Sequence, residues 1–434
     1  MLVTLSLLTS CTLVPVAQRQ VKQGGFEYTI CEDGLKVQTK YRAFQGYNGW
    51  FYYDYDLEPS YPLMSQTDFM IELGRRLQAQ GVRLVIVPVP SRAVVTPQNL
   101  YLDDPQQAAF EPAEGVAQYD MFVKELRDGG VSVFDVLAAA RASGARGQQT
   151  FFKRDLHWTT EGAKLFHQNL ADELKRIEPN LPKTEIVAER NALDYQHRGK
   201  FVSRWTYTHC GYAMPTEPQP TYTVTKRSSG GLFESSDPQV VLTGSSFSLP
   251  PYDYDFLATS LQSDVLNLSV GAGGAVVALQ SYLVDGAFEA AKPKLLVWEF
   301  PTFAPAITEE EKRELLASVY GRCQNTPATA QIGEDFDDII SVNANTEGEM
   351  LNTRTGYLQI EFSDLSVLKF DLILEYDNGK KESLRVARSN LIPNRGLYFF
   401  SLNNSLGRTL QRVQLDIPRD TTGRVSVQAC RRSD

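Results

Sequence analysis

Histidine is scarce in this sequence. Of 434 residues only His157, His167, His197 and His209 carry an imidazole. A general base working near neutral pH is most often imidazole, whose unperturbed pKa lies there, so the candidates for that role are few. Cysteine is also sparse, at five residues, and none has the close CxxC spacing of a metal site, so no metal is expected. No interior run approaches the roughly 20 apolar residues that a membrane-spanning helix needs. An excess of positive charge is missing as well. Forty-three Lys and Arg against 52 Asp and Glu leave a net charge of -9, which argues against nucleic acid as the main partner while permitting a local basic groove. What remains is ordinary globular composition, 42% hydrophobic and 22% charged, in a chain long enough for two domains.

The first residues, Met1 to Cys11, read like the apolar core of a secretory signal, although no Lys or Arg precedes the run. Leu8-Thr9-Ser10-Cys11 also fits a lipoprotein processing box with Cys11 as the lipid anchor. Residues 1–20 are therefore expected to direct export, as a signal peptide or a lipoprotein signal. Export makes the other four cysteines a disulfide set. Of three connectivities, Cys31–Cys210 with Cys323–Cys430 is favoured, because each pair then stays inside one of the two regions described next.

Between about 40 and 305 the pattern alternates. Phe69, Leu73 and Leu77 keep helical spacing up to Gly81, and Val82 to Val89 is a continuous apolar run of the kind buried on both faces of a sheet. Val116, Tyr119, Val123 and Leu126 form a second helical stripe, followed by the strand-like Val131 to Phe134. Thr159 or Thr160 caps a third, with Ala163, Phe166, Leu170, Leu174 and Ile177 on its buried face. After a polar, proline-rich crossing from 179 to about 238, Val240 to Leu242, Val265 to Leu268 and Leu295 to Trp298 read as strands. Such alternation predicts an open α/β sheet over 21–320, with its active site beyond the C-terminal strand ends. From 324 to 434 short alternating runs and an Asn378-Gly379 turn predict an all-β sandwich or jelly roll. Its acids come early and its Arg and Lys residues late, Arg388, Arg395 and Arg408 among them. These are solvated faces or a basic surface for an anionic polymer.

Two stretches carry chemistry. Asp155-Leu156-His157-Trp158 puts an acid two residues before a histidine and just ahead of a helix start. Val240 to Leu242 runs through Thr243 into Gly244-Ser245-Ser246-Phe247-Ser248, a strand ending in a turn that exposes a hydroxyl and amides. Ser246 is the expected nucleophile, with Ser245 and Ser248 as alternatives, His157 the base and Asp155 its orienting acid. The oxyanion would be held by the Ser246 N–H, with help from the Gly271 to Gly274 turn, Gly273 and Gly274 in particular, or from Asn267.

Gly46-x-x-Gly49-Trp50, Val87 to Arg92, Lys153-x-Asp155-x-His157-Trp158-Thr159 with Gly162-Ala163, and Gly244-x-Ser246-Phe247-Ser248 occur in an order that resembles the AlgX/AlgJ family of periplasmic SGNH-hydrolase-like O-acetyltransferases of alginate biosynthesis. The resemblance covers most of residues 40 to 305, and the β-rich end resembles its AlgX branch, which carries a carbohydrate-binding module there. It implies a circularly permuted SGNH-like domain, since Asp and His precede the serine, and one disulfide in each domain. It also implies a Ser246-His157-Asp155 triad and Tyr252 as an active-site tyrosine. The implied activity is acetyl transfer to an exopolysaccharide in the periplasm. It needs an acetyl donor but no cofactor, and is carried out by a monomer working beside other secretion proteins. Ser245 departs from the Asp or Thr common before the family's serine. An acetylesterase and a non-catalytic polysaccharide scaffold are the competing expectations. Arg388, Arg395 and Arg408 are the expected saccharide-binding residues.

Overall fold

The computed structural model describes residues 41–199, 202, 214–227, 237–284, 286–323, 351–418 and 421–432, together with the backbone of strands within 18–37 and 328–343. The expected signal segment, Cys11 and the Cys31–Cys210 pairing lie outside the described residues.

The alternation does build a parallel sheet. Its elements in chain order are β1 (Phe51–Tyr53), an accessory strand, then α1 (Thr67–Ala79), β2 (Arg83–Val89), α2 (Pro112–Asp128), β3 (Ser132–Val133), α3 (Val136–Gly144), α4 (Thr160–Ile177), β4 (Val240–Thr243), β5 (Val265–Asn267), α5 (Val277–Val284), β6 (Leu295–Pro301) and α6 (Glu309–Ser318). The five-stranded sheet runs β5-β4-β6-β2-β3 with every pairing parallel. All of β4 and β6, and all of β2 after Arg83, are buried, as their continuous apolar sequences require once helices cover both faces. The helices supply that cover through Phe69, Met70, Leu73 and Leu77 of α1, Tyr119, Phe122 and Leu126 of α2, and Phe166, Leu170 and Leu174 of α4. Each such side chain contributes about 1.5–3 kcal/mol by leaving water.

The proline-rich crossing differs from expectation. Glu185–Arg190 pairs with Tyr222–Arg227, and Tyr195–His197 with Glu217–Gln219, as two antiparallel ribbons. Both are largely polar and partly exposed, so neither leaves the apolar period by which strands are recognised.

The C-terminal region is a two-sheet sandwich. Its strands are β7 (Ala328–Ile332), β8 (Ile339–Asn343), β9 (Gly356–Phe362), β10 (Lys369–Tyr376), β11 (Lys381–Ala387), β12 (Leu397–Ser401), β13 (Thr409–Asp416) and β14 (Gly423–Arg431). One sheet runs β7-β14-β9-β12 and the other β8-β13-β10-β11. Leu358, Ile360, Tyr398, Phe400 and Val427 of the first meet Leu372, Leu374, Val386, Val413 and Leu415 of the second in one core. Asn378-Gly379 does close the β10–β11 hairpin, with Gly379 at φ 77 in the left-handed region. Several of the late cations are paired with acids. On the outer face Arg385 lies 3.4 Å from Asp371, and Lys381 and Arg412 lie 3.3 and 4.0 Å from Glu375. Cross-strand pairing brings together charges that are separated in sequence.

The two regions are joined by more than a linker. Helix α6 packs on β12, and Val284, Ala317, Tyr357, Leu397 and Phe399 form a cluster with the Cys323–Cys430 disulfide. Arg76 of α1 donates to Leu316 O at 2.9 Å and to Ser401 Oγ at 3.0 Å. Arg388 corrects an expectation. It is 6% exposed, not available to a saccharide, because its guanidinium is ion-paired with the buried Glu314 of α6 and donates to Leu397 O at 2.8 Å. Gln280 donates to the same carboxylate at 2.5 Å. Arg395 and Arg408 are exposed.

Truncating one member of a buried pair leaves the other charge without compensation, at about 3–5 kcal/mol. Arg388→Leu should therefore lower unfolding free energy by about that amount in urea titration, and Arg388→Leu with Glu314→Gln should recover part of it. Equal stability of wild type and single variant would contradict the buried pairing.

Candidate active site

The Asp155–His157 loop is a closed excursion between α3 and α4. Phe152 N–H donates to His157 O at 3.1 Å, Thr159 N–H donates to Thr150 O at 2.9 Å, and Phe151 bridges to Trp158. Thr159 caps α4 by accepting from Gly162 N–H at 3.0 Å. Gly162 must be glycine because a Cβ there would sit 2.1 Å from Thr150 O. Outside bracing comes from three sides. Phe51 N–H of β1 donates to Lys153 O at 2.8 Å. Arg92, fully buried and 2.5 Å from Asp56, donates to the carbonyls of Phe152 and Lys153, both at 3.2 Å. Glu217, on the second ribbon, accepts from Lys153 N–H at 3.0 Å and from Arg154 Nε at 3.2 Å.

The nucleophile turn leaves β4 at Gly244. A Cβ there would lie 2.6 Å from Ser269 Oγ and 2.8 Å from Glu299 Oε2, so only glycine lets the chain pass. Glu299, a lone acid in the buried strand β6, holds the turn from beneath. It accepts from Ser245 N–H, Ser245 Oγ and Ser248 Oγ, each at 2.9 Å. Burial pushes its carboxyl above the ordinary value, against the pull of those donors. The two alternative serines are thereby committed to Glu299, and Ser246, half-buried at the start of a single 3₁₀ turn, is the one that faces the histidine.

The three expected residues come together. Ser246 Oγ is 2.8 Å from His157 Nε2, and His157 Nδ1 is 2.5 Å from Asp155 Oδ1. Burial alone would raise the Asp155 carboxyl, but His157 and His197 beside it hold it well below the usual range. An anionic Asp155 takes the Nδ1–H, which leaves Nε2 to accept the serine proton. Trp158 Nε1–H donates to Phe247 O at 2.8 Å and stitches the two loops together. Tyr252 stacks on the imidazole, with centroids 3.7 Å apart at 10°, and its hydroxyl lies 3.5 Å from Asp155 Oδ2. Burial first, then the Asp155 charge, raises its phenol, so it stays a donor at neutral pH.

Two expected oxyanion donors do not fit. Both amide hydrogens of Asn267 are taken, by Ser248 O at 2.9 Å and Asp255 Oδ1 at 3.4 Å. Gly273 N–H closes its own turn on Val270 O at 3.1 Å, and no hydrogen bond among the described residues links Gly274 to the triad. The Ser246 N–H has no acceptor among them either. Sequence reasoning missed Asp56–Arg92, Glu217 and Glu299. Of these Glu299 left a signal, one carboxylate within the seven apolar-flanked positions Leu295–Pro301. Among the described residues no group of three or more His, Cys, Asp or Glu could hold a metal.

A family described as an SGNH hydrolase-like domain, acetyltransferase AlgX, matches residues 43–302. The chain belongs to the AlgX family. A C-terminal carbohydrate-binding module matches residues 326–434 of this AlgX-family chain. The alginate biosynthesis protein AlgX of Pseudomonas aeruginosa is 25% identical over 417 residues, 91% of this chain and 86% of that one. The probable alginate O-acetylase AlgJ of Pseudomonas putida is 28% identical over 272 residues, 59% and 68% of the two chains. The solved structure of Pseudomonas aeruginosa AlgX superposes with a TM-score of 0.74 at 22% identity, over 90% of this chain and 95% of that one. The O-acetyltransferase domain of Pseudomonas putida AlgJ superposes at 0.52 and 23% identity, over 61% and 92%. The shared fold is thus an SGNH-like α/β domain followed by the β module.

Beneath the nucleophile turn a second buried pair, His167 of α4 and Asp253, stands at 3.2 Å. Burial would lower the His167 pKa, but Asp253 and then Glu299 outweigh it, and the net shift is upward. A raised folded pKa adds stability that is complete below the unfolded value of about 6.5 and is lost as pH rises through the folded value. The urea midpoint of wild type minus that of His167→Gln should therefore be larger at pH 5.5 than at pH 9. A pH-independent difference would show that the pair is not charged.

Proposed function

We propose that this chain transfers acetyl groups onto hydroxyls of an alginate-like exopolysaccharide, outside the cytoplasm. The observation that carries the reading is the unbroken chain from the buried Asp155 through His157 to Ser246 Oγ, at 2.5 and 2.8 Å, on a family domain named for acetyl transfer. Relatives named as an alginate biosynthesis protein and a probable alginate O-acetylase, and the attached carbohydrate-binding module, support the substrate class. The Cys323–Cys430 disulfide supports an oxidising, exported setting.

In the first half-reaction Ser246 Oγ attacks the carbonyl carbon of an acetyl ester or thioester donor, and its proton passes to His157 Nε2. The tetrahedral oxyanion is met by the Ser246 N–H, which is free for the purpose. The intermediate collapses to acetyl-Ser246, and the leaving group departs with the proton from His157. A sugar hydroxyl then gives its proton to His157 and attacks the acetyl carbon. On collapse the acetyl group leaves on the sugar and Ser246 Oγ recovers the proton. Asp155 stays ionised throughout and fixes the tautomer. Tyr252, stacked on the imidazole, and Phe247, tilted against it at 4.6 Å, restrain its orientation. No organic cofactor has a part in these steps.

Ser246→Ala should abolish acetyl release from a chromogenic acetyl ester, and Asp155→Asn should lower kcat by roughly 10⁴-fold. Residual Ser246→Ala activity would remove the serine from the mechanism. Given donor and unacetylated oligosaccharide, the wild type should add the mass of one acetyl group. Acetyl release with no such gain would instead identify an esterase, and saccharide binding with no ester turnover a scaffold.

If the acceptor is a polyuronate bound through exposed cations such as Arg395 and Arg408, oligosaccharide affinity should fall steeply between low and high salt. Salt-independent binding would point to a neutral polymer.

A further inference from the structure

One buried polar group near the triad has no part in the steps above. His197 is 2% exposed and sits on the ribbon strand Tyr195–His197, opposite Glu217. Its ring lies against Phe152, with centroids 4.0 Å apart, and 6.0 Å from Tyr252. Neither ring nitrogen has a hydrogen-bond partner among the described residues. Buried polar groups are normally satisfied, and an exception asks for an explanation. The nearest acceptor is the triad itself. Nε2 stands 3.2 Å from Asp155 Oδ2, close enough to bond but not aligned to do so.

We propose that His197 is a positioning residue for the triad, donating its Nε2–H to Asp155 Oδ2 and so holding the carboxylate square to His157. The two carboxylate oxygens then have separate duties. Oδ1 accepts from His157, through Nδ1 and through the backbone N–H at 3.1 Å. Oδ2 faces His197 and the Tyr252 hydroxyl. Phe152, tilted 33° against the ring, holds it beside the carboxylate. The ribbon that carries His197 is the one whose Glu217 grips Lys153 and Arg154 and whose Gln219 accepts from Thr160 N–H at 3.0 Å. One element therefore braces the loop and delivers the second imidazole. Among the described residues, the other groups near this pocket are phenols, Tyr53 with its hydroxyl on Arg154 O at 3.2 Å, Tyr55 stacked on Tyr53 and Tyr195 at 5.8 Å from the His197 ring, and the closed Arg154–Glu217 pair.

The inference rests on the triad reading and predicts a direction. Without the second donor, the Asp155 charge concentrates on the oxygen shared with His157. The imidazolium is then favoured, and the base stays protonated to higher pH. His197→Phe should lower kcat for a chromogenic acetyl ester about 10-fold to 100-fold, the range for a lost hydrogen bond to a charged group. KM should change less than about two-fold and the acid limb of the kcat/KM profile should move to higher pH. His197→Gln, whose amide restores a donor, should return the limb to its wild-type position. An acid limb unmoved in His197→Phe, with wild-type turnover dependent on Ser246, overturns this inference alone. Absence of Ser246-dependent turnover in the wild type overturns the triad reading and this inference with it. Nitrogen-15 NMR of histidine-labelled wild type keeps the test open should His197→Phe not fold. A proton on Nε2 is expected, and a bare Nε2 with the proton on Nδ1 overturns the proposal.

Discussion

The site depends on keeping one carboxylate ionised where there is almost no water. Asp155 is 2% exposed, and burial by itself would neutralise it. A protonated Asp155 would no longer require the Nδ1–H tautomer of His157, and Nε2 would lose its claim on the serine proton. The answer is a set of donors and dipoles around the carboxylate, His157 on one oxygen and His197 and Tyr252 on the other. That set works only if the loop carrying Asp155 cannot relax. The surrounding architecture follows from this need. Arg92 is buried at the cost of a paired Asp56, and Glu217 is taken from another ribbon to hold Lys153 and Arg154.

The nucleophile side obeys the same logic in reverse. There the charged group lies below the turn, and the working group is neutral. Glu299 takes three hydrogen bonds from the residues flanking Ser246 and none from Ser246 itself. Two hydroxyls are thereby used as structure and one is left for chemistry. Gly244 makes this possible, because a single methyl group there would displace both Glu299 and Ser269. The serine is singled out by what its neighbours are doing, not by its own surroundings alone.

That difference explains what could be read from the residues. The parallel strands were legible because burial on both faces leaves continuous apolar runs, as in Val82 to Val89 and Leu295 to Trp298. The triad was legible because the chain offers few histidines and one Gly-Ser-Ser at a strand end. The two polar ribbons of 185–227 were not, since half-exposed strands with mixed charge carry no period. His197 received no role for the same reason, because nothing near it in sequence shows that it meets Asp155. Arg388 failed for a related cause. Charge order along the chain suggested a basic face, but antiparallel pairing sets Arg385 against Asp371 and Lys381 against Glu375, and Arg388 turns inward to Glu314. Composition records how many charges there are, while pairing decides which are free.

Helix α6 extends the constraint from the site to the whole molecule. Leu315 belongs to the core of the α/β region, whereas Ala317 one turn-face away belongs to the cluster with Leu397 and Phe399 of the sandwich. Glu314 between them is bound by Gln280 from one side and Arg388 from the other. A helix shared by two cores, with a buried charge pair and a disulfide beside it, leaves little freedom for a hinge. A module that moved freely would raise the local concentration of polymer near the catalytic loop but would set no register. Under the acetyl-transfer proposal, a module fixed in this way would present a bound polymer to Ser246 in one register. On that proposal, which hydroxyls reach Ser246 would be governed by the geometry of the α6–β12 junction as much as by His157 and Asp155.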